Sequence, residues 1–252
     1  MDILYIVGKD CSKCNDFELK MSLRSIEKYG KNVGKVYVCG WCPEYLSEEV
    51  ITFPCEDIYK DTKDHGSRNA NVANKLLRFL EAHPEISDEF LVSFDDNFYI
   101  REVDFDNYPH YARLLNKQVE IPEHEEGELP YRKCMANTRE YLENLGLPVI
   151  NFAIHRNLYV TKRAIEANKD ILEKIIAEKI ECDRFCLLNN WEYSQGAFDY
   201  TPVKDVKLRG GIDWWKVNPE TTEVFSTCDF KPGVGLETLI STLYTEKSKY
   251  EK

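Results

Sequence analysis

The chain has 252 residues, 43% hydrophobic and 31% charged, enough for one sizeable α/β domain. A net charge of −11 argues against a broad nucleic-acid surface, which needs Lys and Arg to neutralise phosphates, and leaves room only for a local basic pocket. No stretch reaches the roughly 18 uncharged apolar residues of a membrane span, and Met1 to Tyr5 lacks a basic leader, so the expected location is the cytoplasm, with the nine cysteines reduced.

In chain order, residues 2–7 form an apolar run that stops at Gly8 and reads as a buried strand. Phe17, Leu19, Met21, Leu23 and Ile26 predict a helix that ends at Gly30. Short strands follow at 36–39, before Gly40, and at 50–53, before Pro54. A polar loop over 60–66 precedes a helix from about Ser67 to Ala82, with Val72, Leu76, Leu77 and Leu80 on one face. The strand 90–94 then runs into Asp95-Asp96-Asn97. Strands alternating with helices predict a parallel, doubly wound sheet, whose ligands sit beyond the carboxyl ends of its strands. Gly8, Gly40 and Asp95 all fall at such ends.

Further on, the acidic stretch from Ile121 to Pro130 reads as an exposed mobile loop. Residues 132–145 read as a helix, and 149–154 as a strand that delivers His155. The stretch from Lys162 to Lys179 reads as one amphipathic helix, and 236–244 as a short terminal one.

Two adjacent carboxylates after an apolar strand are costly unless they meet a cation. Asp95 and Asp96 are therefore candidate ligands for Mn²⁺ or Mg²⁺, which prefer oxygen donors and share them with substrate phosphates. The same residues also suit a plain turn. Arg68 and Lys75 could meet phosphates, and Asn71 a ribose or phosphate oxygen; otherwise they form a polar helix face behind an N-cap at Ser67. His155 could bind phosphate, take a proton or ligate a metal. Arg184 is a second phosphate candidate, and Glu192 a candidate base. Cys11, Cys14, Cys39 and Cys42 form a C-x₂-C…C-x₂-C pattern that could instead hold structural zinc in a binding module without turnover.

The Asp-Asp-Asn turn after a core strand resembles the metal motif of the GT-A class of nucleotide-sugar glycosyltransferases. Four segments are also similar to the Stealth family of sugar-phosphate transferases: Met1 to Val7, Ser93 to Phe98, His155 with Asp183-Arg184, and Leu239 to Glu251. Here Asn97 follows the aspartates where that family places Asn before them, and Thr245 stands where it has Pro. The resemblance implies one GT-A-like domain over 1–252, a Rossmann-type mixed sheet flanked by helices with a helical C-terminal portion. Its nucleotide-binding half would be 1–115 and its acceptor side 116–252. It implies metal-dependent transfer of a sugar from a nucleotide diphosphate sugar, a UDP-sugar first among them, to a hydroxyl on a glycan, a lipid-linked glycan, a protein or a modified base. Val7, Gly8 and Asp10 would hold the nucleotide base, Asp95 and Asp96 the metal, and Asn97 the phosphate or sugar. Arg68, His155 and Arg184 would stabilise phosphate charge. Attack at the sugar carbon or at phosphorus, as in a sugar-1-phosphate transferase, stays open.

Overall fold

The computed structural model describes residues 1–9, 16–61, 63–122, 130–209, 211–227 and 235–252. Strand β1 (Asp2–Val7) is buried along its whole length, the pattern of a parallel strand covered on both faces. Helix α1 (Phe17–Tyr29), the short β2 (Gly30–Lys31), β3 (Val36–Gly40) and β4 (Val50–Pro54) follow. Helix α2 (His65–Ala82) crosses to β5 (Glu89–Ser93), and β4-β3-β1-β5 lie side by side, all parallel.

After a turn at Asp95-Asp96 come β6 (Asn97–Tyr99), β7 (Val103–Asp104) and β8 (His110–Arg113). Helix α3 (Pro130–Asn144) precedes β9 (Leu158–Thr161), which joins the sheet antiparallel to β5. Helices α4 (Lys162–Ala167), α5 (Lys169–Glu178) and α6 (Arg184–Ser194) cover one face. Then come β10 (Tyr200–Val203), paired with β8, β11 (Lys207–Leu208), a 3₁₀ helix (Gly211–Lys216), β12 (Val224–Thr227) and α7 (Leu236–Leu243). Strand β12 runs antiparallel to β6, so the chain returns to the aspartate turn: Thr227 N–H donates to the Asp96 carbonyl at 3.3 Å.

The class is α/β, a mixed, parallel-rich sheet flanked by helices, as the element order predicts. Alternation along β1 divides the core. Leu4 and Ile6 pack with Leu76, Phe79, Ile175 and Phe185 on one face, while Ile3, Tyr5 and Val7 meet Leu19, Leu23 and Ile26 of α1 on the other. Each such fully buried side chain contributes about 2 kcal/mol. A third cluster, Phe98, Phe225, Leu236 and Ile240, seats α7 on β6 and β12.

Several boundaries differ from the sequence reading. The N-cap of α2 is Asp64, not Ser67; its carboxylate accepts from Ser67 N–H at 2.6 Å, and the helix starts two residues earlier, at His65. The segment 149–154 is not a strand of the sheet. Its backbone bonds to scattered partners, Val119, Ile121 and Arg113, and makes only one isolated bridge. The stretch from Lys162 to Lys179 is two helices, because Asn168 ends α4 and its side chain caps the Ala164 carbonyl at 2.8 Å. The acidic segment 123–129 lies outside the described residues. Among the described residues no helix is long and apolar enough to cross a membrane.

Candidate active site

The carboxyl end of β1 is tightly engineered by its own backbone. The Val7 carbonyl accepts from Trp41 N–H at 3.1 Å and from Lys75 Nζ at 3.0 Å. Gly40 makes the Trp41 contact possible: it has φ +109°, and a Cβ there would lie 2.0 Å from the Val7 oxygen. Lys75 is buried and paired with Asp57 at 2.7 Å, so it braces β1 against the loop after β4. Asn71 bonds the backbone N–H and carbonyl of Tyr59, both at 2.9 Å. Both side chains thus serve the scaffold, and neither lines the cavity described next. Lys75→Met should leave Asp57 without its cation and lower stability by about 3 kcal/mol in urea denaturation.

Beyond β5 the sheet opens into a cavity of about 630 Å³, within the range of small-molecule sites. Phe94, Ile154, Leu158 and Phe185 form its apolar wall. Asp95, Asp96, Glu18 and Asp183 bring carboxylates, and Arg184, Lys207 and His155 bring nitrogen groups. Asp95 and Asp96 stand at the strand end because β5 stops at Ser93 and the chain must turn to enter β6. Ser93 Oγ donates to Asn157 Oδ1 at 3.0 Å and ties that turn to the start of β9.

Arg184 opens α6 immediately after Asp183, whose carboxylate caps the helix by accepting from Phe185 and Cys186 N–H at 3.0 and 2.9 Å. The guanidinium donates to Asn69 Oδ1 at 2.6 Å, and Asn69 in turn donates to the Cys182 carbonyl at 2.9 Å. Among the described residues Arg184 Nε is buried and has no partner, while the residue lines the cavity. Asn69 carries no signal of this role in the sequence. Its neighbour Arg68, a phosphate candidate by sequence, is exposed on α2 and does not line the cavity.

His155 is held by its backbone N–H on Asp205 Oδ2 at 3.1 Å. Burial, with Lys207 and Arg113 nearby, pushes its pKa down to about 3, so the imidazole is uncharged at neutral pH. As a neutral ring it can donate or accept a hydrogen bond. Asp205 has its own pKa raised by burial, against the pull of Arg113, whose Nε lies at 3.4 Å. The same Arg113 donates to Tyr131 Oη at 2.7 Å on the cavity wall.

The remaining candidates separate. Glu192 is not at the cavity: it accepts from Thr161 Oγ1 at 2.9 Å, pairs with Arg163, and borders a crevice beside His110 with no room for a water. Asn97 is fully buried next to the aspartates; Ser22 Oγ donates to its carbonyl at 2.6 Å, and its carboxamide has no partner among the described residues. Gly8 follows Val7 at the carboxyl end of the central strand, while Asp10, Cys11 and Cys14 lie outside the described residues. Cys39 faces one core and Cys42 the other, and among the described residues no group of three His, Cys, Asp or Glu side chains could hold a metal ion. Lys207 escaped the sequence reading; its only trace there is a lysine between Val206 and Leu208.

No protein-family model matches the chain, and no curated protein is similar to it. A solved structure, a glycosyltransferase involved in the glycosylation of the major capsid of PBCV-1, aligns over 96% of this chain and 98% of that one, at 11% identity and a TM-score of 0.44. That likeness is slight, and the chemistry is read from the cavity.

Proposed function

We propose that the protein transfers a sugar from a nucleotide diphosphate sugar to a hydroxyl-bearing acceptor. The observation that carries this reading is the pairing of Asp95 and Asp96, on a turn at the carboxyl end of the sheet, with Arg184 across one cavity large enough for such a donor. In transfer, the bond from the anomeric carbon to the diphosphate oxygen breaks and its electron pair leaves with the phosphate. The acceptor oxygen bonds to that carbon and its proton passes to a base.

Asp95 and Asp96 fit a divalent cation. They are hard oxygen donors, adjacent, half-buried and open to the cavity, so substrate phosphates could complete the shell. Bound there, Mn²⁺ or Mg²⁺ would neutralise charge on the leaving diphosphate. Arg184, which lines the same cavity, would meet the same charge through its guanidinium. His155 would orient a ligand oxygen as a neutral partner. Asp183 is better placed than Glu192 to take the acceptor's proton, since it lines the cavity and Glu192 does not. The apolar wall excludes water and strengthens these charge interactions.

A thermal-shift screen of UDP-, GDP-, CDP- and dTDP-sugars with and without Mn²⁺ tests the reading. At a hundred times its dissociation constant the right donor should add about 2.7 kcal/mol, or roughly 5–10 °C for a chain of this size. A melting temperature unmoved by every donor, with and without metal, would remove the proposal.

A further inference from the structure

Lys207 reaches the cavity from β11. Its Nζ lies 3.4 Å from Nδ1 and 3.5 Å from Nε2 of His155. Asp205, two residues earlier, is near enough to feel its charge but makes no ion pair with it; its Oδ2 is engaged by Arg113 and by the His155 N–H. Lys75, Arg113, Arg156 and Arg184 each lie within 4 Å of a carboxylate, and no such ion pair is made by Lys207 among the described residues. A half-buried ammonium therefore faces the cavity with an uncharged imidazole beside it. The neutral ring beside it leaves that charge uncancelled. Such a charge in a partly desolvated site calls for an anion.

We propose that Lys207 binds the diphosphate of the nucleotide, in the donor and in the released nucleoside diphosphate. This rests on reading the cavity as a nucleotide-sugar site. A lysine ammonium is a compact point charge with three donors, suited to a diphosphate that gains charge as it leaves. Thr227, at the end of the neighbouring strand β12, lines the same wall. The cation at Asp95-Asp96 and the ammonium would then share the diphosphate's charge with Arg184.

The test is calorimetric titration of the full chain with a nucleoside, its monophosphate and its diphosphate in the uracil, guanine, cytosine and thymine series, with Mn²⁺ present. For the base that binds, Lys207→Met should weaken the diphosphate by about 10- to 100-fold, the range for hydrogen bonds to a charged group. The monophosphate should lose less, the nucleoside nothing, and Lys207→Arg should recover most of the affinity. Lys207→Gln serves if the Met variant does not fold. Wild-type binding of the diphosphate with unchanged affinity in Lys207→Met overturns this inference and leaves the transferase reading intact. Equal losses for nucleoside and diphosphate overturn it too, since they report general damage. If wild-type protein binds none of the diphosphates, the transferase reading falls and this inference with it.

Discussion

Asp95→Asn and Asp96→Asn should each lower turnover of the cognate nucleotide sugar by about 10²–10³-fold while leaving the melting temperature within a few degrees of wild type. The magnitude is that of removing one preorganised group facing developing charge. The size of the stability effect follows from position: both residues are half-buried on a turn, outside the three hydrophobic clusters. Asparagine keeps the turn propensity and volume but loses the charge that a divalent cation needs. Steady-state assays across a Mn²⁺ series check it. The variants should also lose the metal-dependent part of any thermal shift. Unchanged turnover in the double variant would move the chemistry away from this turn.

The second large effect concerns the tail rather than the cavity. Glu251 is almost completely buried and accepts a bidentate pair from Arg24, at 2.7 and 2.9 Å, plus Ser248 N–H at 3.0 Å and Ser248 Oγ at 2.9 Å. Lys20 adds a contact at 3.4 Å. Tyr250 packs into the cluster beneath α1, and Lys252 N–H bonds the Tyr45 carbonyl at 2.7 Å. The tail thereby clips α1 to the loop after β3, and α1 carries Glu18 to the cavity. Glu251→Gln leaves Arg24 without its charge partner and should cost about 3 kcal/mol, roughly 6–12 °C in melting temperature.

Burial opposes ionisation of Glu251, but the bonds from Arg24 and Ser248 prevail and hold its pKa down at about 2. A carboxylate with a depressed folded pKa stabilises the fold above its unfolded value, near 4.5, and loses that contribution as the pH falls towards 2. The gap between wild type and Glu251→Gln should therefore be full at neutral pH and close between about 4.5 and 2. Urea midpoints across that range measure it, and a gap independent of pH would show that charge is not what the tail contributes.

Much of the fold was legible because parallel strands buried on both faces write continuous apolar runs, as in residues 2–7 and 36–39. The aspartate turn was legible for a related reason: two carboxylates stand out after such a run. What the sequence hid depends on contacts between distant residues. Strand β9 pairs antiparallel with β5, which nothing in Leu158 to Thr161 announces. Lys75, Asn71 and Glu192 looked like ligand groups, yet each is taken up by a partner far along the chain: Val7 and Asp57, Tyr59, and Thr161 with Arg163. His155 was found by its place, but its charge state follows from burial and from Lys207 and Arg113, 52 and 42 positions away. Asn69 aligns Arg184 across 115 positions and has no local signature.

The central claim is that this cavity splits an activated sugar from its nucleotide at the anomeric carbon. The most direct measurement is chromatography of the nucleotide products after the full chain is incubated with Mn²⁺, each nucleotide sugar and a panel of saccharide acceptors. Release of the nucleoside diphosphate, abolished by Asp95→Asn with Asp96→Asn, is the predicted result. Release of the nucleoside monophosphate would contradict it and place the attack at phosphorus, and no release from any donor would contradict the transferase reading altogether.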